Sequence, residues 1–248
     1  MPNIRFGDID FSSDGAYVWG AGQYSAPARS VDFIEVPGRN GDLLIDNGNY
    51  TNTTAIFDVI ITEDIEENTN RLKYLLYSQK GYQKLYDSDL KGFYRMASFN
   101  SGFEILSTEG GVVRIEFDCK PFKYDIAGDE PIILQYSDDK PSGSFYLENP
   151  YFEESKPAIR VYADLGYNEE SSITINEKSI YFLDRPNNWF GALIDTDMQF
   201  VYREMADRNE NLNRYVSSVD LSLKAGVNKI SFGGAIKKLE VYPRWVTL

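Results

Sequence analysis

The side chains that most often carry out catalysis or bind metal ions are scarce in this chain of 248 residues. It contains no histidine and only one cysteine, Cys119. A Ser-His-Asp triad, a Cys-His pair and a histidine-ligated metal site all require a histidine, and a cysteine-rich zinc site requires several cysteines. None of these sites can be built from one copy of this polypeptide.

Carboxylates are the remaining candidates for chemistry. Asp8, Asp10 and Asp14 lie close enough in the sequence to suggest a calcium loop. In an EF-hand count from Asp8, however, the sixth position is Ser13 rather than glycine and the twelfth is Trp19 rather than glutamate. A glycosidase needs two paired carboxylates, and the sequence gives no reason to single out two of the 38 acidic residues. We therefore predict no enzyme, no metal site and no cofactor.

The stretch Pro37–Gly41 is predicted to be a structural turn rather than a phosphate-binding loop. It lacks the Lys-Ser/Thr pair that such a loop uses. Pro37 fixes φ near −65°, while Gly38, Asn40 and Gly41 tolerate positive φ. These four residues form the predicted turn motif.

The elements around this turn predict a meander that frames a first domain. Val31–Val36 is an apolar, β-branched strand, and Leu43–Ile45 is a short apolar run after the turn. Asp46–Asn49 is predicted as a second turn, and Thr54–Ile61 as a longer strand. In the first strand, the spacing of Val31 and Phe33 places them on one face, but the apolar residues that follow fall on the opposite face. This slip predicts either a β-bulge or a strand that is buried on both faces.

The rest of the first half predicts a β-rich domain with one helix. Ile4–Phe11 is a candidate first strand, and Ala16–Tyr24 is either a second strand or one arm of a projecting hairpin. The polar segment Thr62–Asn70 is typical of a helix start, three leucines then follow at helical spacing, and Gly81 is a stop signal. Further strands are predicted at Tyr82–Tyr86, Phe93–Phe99, Phe103–Ser107 and, by strict alternation, Val113–Cys119. The same alternation predicts that Cys119 is a buried core thiol.

The second half predicts a β-sandwich after a linker. Proline, glycine and charge cluster without periodicity at residues 127–131 and 137–143, so the domain boundary is placed between these segments. A polar segment at Asn209–Ser218 is predicted as a loop or short helical turn. Eight short strands with regular turns fit two packed sheets. They are Phe145–Glu148, Ala158–Ala163, Ser172–Ile175, Ser179–Leu183, Ala192–Ile194, Gln199–Arg203, Lys229–Phe232 and Leu239–Tyr242.

Composition and charge limit the classes of partner. The chain holds 38 acidic and 25 basic residues, a net charge of −13. Residues 1–130 alone hold 21 acidic and 12 basic residues, a net charge of −9. This sign opposes tight or sequence-specific binding to nucleic acid, which needs a basic footprint. No signal-type apolar segment follows Met1 and no run of about 18 apolar residues occurs, so we expect a soluble chain without a membrane span.

Three short motifs carry a resemblance to a known family. They are VPGRNGDLL at residues 36–44, FDCKPFKY at residues 117–124 and VYPRWVTL at residues 241–248. With the long β run and the helix that follow the first motif, this pattern resembles the distal tail proteins of siphophages. The likeness extends over nearly the whole chain.

The resemblance implies a mainly β fold of two domains. Residues 1–130 would be a ring-forming tail-hub domain, a β-sheet or split-barrel-like domain with one helix. Residues 131–143 would be a linker, and residues 144–248 a galectin-like β-sandwich. In this family the first domains form a homo-hexameric ring at the distal end of the tail, within the virion. We expect assembly in the host cytoplasm.

The resemblance also implies partners and an interface. The ring would join the tail tube protein, with the tape measure protein nearby, to a tail-associated lysin or receptor-binding proteins. DNA would pass through its lumen. Exposed strands can pair or pack between copies, and such contacts can join the copies into a ring. Two segments, Ala16–Tyr24 and Val31–Gly48, are therefore candidate contacts. The candidate interface residues are Val31, Phe33, Ile34, Leu43 and Leu44.

A carbohydrate-binding accessory module is the alternative function. Sugar sites often place an aromatic platform beside polar loop groups, and Asn188 and Trp189 offer both on a predicted loop. Trp189 could equally anchor the sandwich core or an interface. A galectin-like shape does not by itself establish sugar binding, because function belongs to the site rather than the fold.

Overall fold

The computed structural model describes residues 3–12, 15–100, 102–137, 143–163, 171–183, 191–206 and 208–248. The chain divides into two compact units, Met1–Tyr124 with Leu248, and Asp125–Thr247. Each unit has its own cluster of buried apolar side chains. Both units consist mainly of β-strands, which confirms the predicted fold class.

The first unit is a twisted antiparallel sheet with one helix packed on it. Its sheet has the order β2-β1-β8-β9-β11-β7-β3, with β10 beside β11 and β4 beside β7. The helix α1 (Ile65–Ser78) lies between β7 and β8 in the chain. The strands that begin in this unit are β1 (Ile4–Phe6), β2 (Ile9–Asp10), β3 (Ala16–Val18), β4 (Gln23–Tyr24), β5 (Arg29–Ile34), β6 (Leu43–Tyr50), β7 (Thr53–Ile61), β8 (Gln83–Asp87), β9 (Phe93–Ser98), β10 (Phe103–Ser107) and β11 (Val112–Asp125).

The strands β7 and β11 form the centre of this unit. They pair antiparallel from Val112 opposite Ile60 to Cys119 opposite Thr53. Every second residue of β7 is buried, and the odd-numbered residues of β11 from Val113 to Cys119 are buried in the same way. The predicted alternation is therefore confirmed, and its cause is a sheet with one face packed on the core.

The helix α1 covers this face of the sheet, as the spacing of its leucines predicts. Leu72 and Leu76 are 2% and 0% exposed. The helix ends at Ser78, earlier than predicted, and Gly81 has a φ of 68° in the following turn. No helix in the described part of the chain is both long and apolar enough to span a membrane.

Two predictions in the first unit are wrong in detail, and a third is decided between its alternatives. The predicted single strand Ile4–Phe11 is two short strands, because Gly7 adopts a φ of 55° and turns the chain. The segment Ala16–Tyr24 is strand rather than an arm of a projecting hairpin, since both β3 and β4 pair with β7. Val31–Ile61 is not the frame of the unit, because β5 and β6 form a separate two-stranded sheet.

The predicted turn at Asp46–Asn49 is also wrong, because these residues lie inside β6. The Gly48 N–H donates to the Asp46 carboxylate at 2.9 Å, and Gly48 has a φ of 74°. The register between β5 and β6 shifts between Arg29 and Val31. The turn chemistry thus makes a bulge within a continuing strand. The register runs without a shift from Val31 to Ile34, so the bulge that the phase slip predicts in that strand is absent there.

The second unit is a sandwich of two antiparallel sheets. One has the order β12-β21-β14-β17-β18-β19 and the other β13-β20-β15-β16, and the core cluster draws on both. Two 3₁₀ helices, Ile126–Asp129 and Asn213–Tyr215, complete the described elements. The strands are β12 (Ile132–Gln135), β13 (Phe145–Asn149), β14 (Ala158–Ala163), β15 (Ser171–Ile175), β16 (Lys178–Phe182), β17 (Ala192–Asp195), β18 (Phe200–Glu204), β19 (Asn209–Asn211), β20 (Gly226–Gly233), β21 (Ile236–Tyr242) and β22 (Val246–Thr247).

All eight strands predicted in this half are present, with ends that differ by a few residues. The structure adds β19 within the polar segment Asn209–Ser218, and β12 within the predicted linker. Leu134 of β12 is 5% exposed and lies opposite Leu239 of β21, so part of residues 131–143 belongs to a sheet. The assignment of residues 1–130 and 144–248 as functional domains stays a prediction.

The buried thiol of Cys119 predicts chemical inertness. The side chain is 0% exposed, and burial raises the pKa of its thiol to about 12 from an ordinary value of 9.0. Since the thiolate is the reactive form, the folded protein at pH 8 should react with a disulfide reagent about a thousandfold more slowly than the unfolded chain. Thiol titration with and without denaturant checks this, and a fast native reaction would contradict the core assignment.

Candidate interaction surface

The strands β5 and β6 form a hairpin that pairs with no other described strand. Phe33 lies directly opposite Leu44, and Ile34 lies opposite Leu43. The connecting segment contains the predicted turn motif, in which Gly38 and Gly41 both have a φ of 81°. Arg39 donates its backbone N–H to the Val36 carbonyl at 3.1 Å and so tightens the turn.

The hairpin presents apolar side chains to solvent on both of its faces. Residues that are opposite one another in the register share a face, so Val31, Phe33 and Leu44 lie on one side. Ile34, Leu43 and Ile45 lie on the other side. Phe33 is 63% exposed and Leu44 is 54% exposed. These six side chains are called the apolar hairpin surface below.

Polar contacts hold the base of the hairpin in place. Arg29 pairs with Asp46 at 2.8 Å, and Asn47 donates to the Asp32 carboxylate at 3.1 Å. The Tyr50 ring meets the Phe122 ring of β11 edge-on at 5.8 Å, which ties the hairpin to the main sheet. The Gly48 N–H and then the Arg29 guanidinium lower the pKa of Asp46. The base is thus fixed while the apolar residues beyond it have no described partner.

This arrangement is typical of a surface that another chain covers. An isolated two-stranded hairpin is marginal in water, and exposed contiguous apolar side chains favour association. The strand edges also offer unpaired backbone groups for pairing between copies. Because these side chains are exposed, the predicted strand that is buried on both faces is wrong for the single chain.

The structure brings together all five predicted interface residues and the four turn residues on one hairpin. It adds Ile45 and the 37%-exposed Val36, which the sequence interpretation left out of the set. Trp19, 63% exposed between β3 and β4, lies within the candidate contact segment Ala16–Tyr24 but was not named individually. Asn188 and Trp189 lie outside the described residues.

The described residues offer little that resembles a catalytic or metal site. No group of three or more histidine, cysteine or acidic side chains is placed to hold a metal within the part of the chain that the structure describes. A cleft of about 460 Å³ lies between α1 and the β10–β11 hairpin. Glu66 is the only ionisable side chain among the described residues that line it, so this cleft contains no acid–base pair.

Comparison with known proteins identifies the fold. No protein-family model matches the sequence, and no curated protein matches it. Among solved structures, the crystal structure of the Dit protein of phage SPP1 matches with a TM-score of 0.71 at 14% identity, covering 97% of both chains. This chain has the distal tail protein fold. The SPP1 protein is described as a paradigm of the hub adsorption apparatus in phages that infect Gram-positive bacteria.

Two further structures with this fold come from the baseplate of phage P2 in its activated conformation. The structure with calcium matches with a TM-score of 0.60 at 12% identity, and the structure with strontium with a TM-score of 0.59 at 11% identity. Each match covers 97% of both chains. The resemblance to distal tail proteins that the three sequence motifs predict is therefore confirmed at the level of the fold.

Proposed function

We propose that this protein is a structural hub component of a phage tail tip, in which six copies form a closed ring. The observation that carries this proposal is the match of the distal tail protein fold over 97% of the chain, at a TM-score of 0.71. The apolar hairpin surface supplies a physical reason for association. When a neighbouring copy covers the exposed apolar side chains on both faces of the hairpin, the free energy of the assembly falls.

The proposed ring requires a heterologous interface. In it, the hairpin of one copy would contact a different surface of the next copy, and such interfaces generate rings when their rotation closes. In this role the first unit would form the ring, continue the tail tube and lie near the tape measure protein. The second unit would face outward, toward a tail-associated lysin or receptor-binding proteins.

The charge of the chain fits passage of DNA through such a ring. A net charge of −9 in residues 1–130 would repel phosphate from the lumen rather than retain it. The role is structural rather than catalytic, and the place is the distal end of the tail in the virion, after assembly in the host cytoplasm. A ring whose inner wall is basic would contradict the electrostatic part of this proposal.

The mass in solution tests the ring. Six subunits of 28.3 kDa make about 170 kDa, and light scattering after size exclusion should find this mass at high protein concentration. A discrete ring with a central lumen should then be visible by electron microscopy. A 28.3 kDa species at every concentration, both alone and with the tail tube protein present, would contradict the proposal.

A further inference from the structure

Arg95 is a buried cation without a described anionic partner. It lies on β9 and is only 9% exposed, on the strand face that also carries the core residues Ala97 and Phe99. Its Nε atom is buried and has no hydrogen-bond partner, and the guanidinium makes no ion pair within the described residues. Its described contact is with the Tyr24 ring, whose centroid is 4.8 Å from Cζ.

No described carboxylate contacts the Arg95 guanidinium directly. Asp87 lies on the far side of Tyr24, where it accepts a short hydrogen bond from the Tyr24 hydroxyl and another from the Asp89 N–H at 2.9 Å. Burial, and then the hydrogen bond to Asp87, raise the pKa of Tyr24, so the phenol stays neutral. Cys119 is a neutral buried thiol. Arg95 therefore has no carboxylate in direct contact with its guanidinium, and the Tyr24 ring separates it from Asp87.

Lys123 places a second positive charge near Arg95. It is half-buried on β11, the strand next to β9, and its Nζ atom is 6.0 Å from the centroid of the Phe93 ring, two residues before Arg95 on β9. Burial and then the charge of Arg95 lower the pKa of Lys123. Two cations that repel each other, one of them almost fully buried, are costly in a folded chain unless an anion joins them.

We propose that Arg95 and Lys123 form a carboxylate-binding site, and that an acidic side chain from a second copy of this chain fills it. A guanidinium binds a carboxylate through two parallel N–H donors, and the guanidinium of Arg95 has no carboxylate partner among the described residues. Lys123 supplies a further cation at the more exposed side of the site.

The charge of the chain argues for a second copy as the source. The molecule carries 38 acidic residues against 25 basic ones, so its own surface is rich in carboxylates. Among these, Glu35 and Asp42 on the projecting hairpin are exposed and make no hydrogen bond or ion pair with another described residue. This inference rests on the ring proposed above and specifies one of its polar contacts.

Assembly of charge-removing variants tests the site. We expect Arg95→Met to raise the concentration at which the assembly half-dissociates by about thirtyfold or more, because a buried pair would lose one partner. Arg5→Met is the matched control, since Arg5 is an exposed arginine that lies 4.3 Å over the Tyr86 ring of the same sheet. Its effect should stay below about twofold. Mass photometry over a dilution series measures both.

The stability of the dilute subunit separates binding from folding. Arg95→Met should not lower the melting temperature of the subunit, because the guanidinium has no described ionic partner to lose there. Wild-type assembly by Arg95→Met would overturn the inference and leave the proposed ring intact. So would a variant whose subunit melts earlier while its assembly is unchanged.

Melting temperatures in acetate and in chloride test the site if the subunit does not assemble alone. Acetate should then raise the melting temperature of the wild type and of Arg5→Met above the value in chloride at equal ionic strength, but not that of Arg95→Met. Lys123→Gln should reduce the acetate effect. An equal effect of acetate on Arg95→Met, or an effect of phosphate without one of acetate, would overturn the carboxylate assignment.

Discussion

Replacing both Phe33 and Leu44 with serine is expected to convert the assembly of about 170 kDa into the 28.3 kDa subunit. The two side chains lie opposite each other on β5 and β6 and are 63% and 54% exposed in the single chain. Burial of such a side chain in an interface is worth about 1.5–3 kcal/mol, and a ring repeats the loss at each of its contacts. Light scattering after size exclusion gives the mass directly.

The control for this variant is an equally exposed aromatic residue elsewhere on the first unit. Tyr74 is 74% exposed on α1, so Tyr74→Ser removes a similar exposed ring without touching the hairpin. It should leave the mass unchanged. Both variants should melt with the wild-type subunit when dilute, since neither loses core packing. A Phe33→Ser/Leu44→Ser protein that keeps the full mass would show that the apolar hairpin surface does not hold the copies together.

The core of the first unit could be predicted from the sequence because it follows the periodicity of each strand or helix. Val113–Cys119 alternates strictly, and the structure buries its apolar residues at the centre of the sheet. Leu72 and Leu76 fall on one stripe of α1 for the same reason. Such patterns are imposed by a single nearby apolar layer, so they remain readable without knowledge of the partner strand.

The hairpin and the short edge strands were harder to predict from the sequence, because the strands they pair with determine their conformation. Asp46-Asn47-Gly48-Asn49 has the composition of a turn, yet its asparagine and glycine chemistry is used for a bulge inside β6. The β12 strand follows Pro131 within a segment with linker composition, and only its pairing with β21 makes it a strand. Local propensity cannot distinguish these cases, since the choice is made by the register of a distant strand.

The candidate surface was predicted in its residues but not in its geometry. Val31, Phe33 and Ile34 were singled out from apolar character, which would fit a buried strand equally well. Their exposure depends on β5 and β6 being left out of the main sheet. Arg95 escaped notice altogether, because an arginine in a strand is ordinarily an outward-facing residue, and only the fold turns it toward the core.

Removing the guanidinium of Arg244 should destabilise the second unit by about 3 kcal/mol at neutral pH, because it leaves a buried carboxylate uncompensated. Arg244 donates to both oxygens of Asp195 at 3.0 and 2.8 Å, and the Asp195 side chain is only 6% exposed. Arg160→Met is the matched control: it breaks a 3.8 Å contact with Glu204, whose side chain is 61% exposed, and should cost less than about 1 kcal/mol. Denaturant unfolding followed by tryptophan fluorescence compares the two.

The pH dependence gives this prediction a second, independent readout. Burial raises the pKa of Asp195, but the hydrogen bonds from Arg244 and from the Met198 and Asp197 N–H groups outweigh it, so the folded pKa lies below its ordinary value. The carboxylate therefore stabilises the fold above the unfolded pKa of about 3.9, and this contribution is lost as the pH falls through the lower folded pKa.

The Arg244→Met variant loses the contact that lowers the pKa of Asp195 the most. The stability difference between wild type and variant should be greatest at pH 7 and shrink steadily on acidification. A difference that stays constant from pH 7 to pH 3 would mean that Arg244 stabilises the unit through packing rather than through its charge on Asp195.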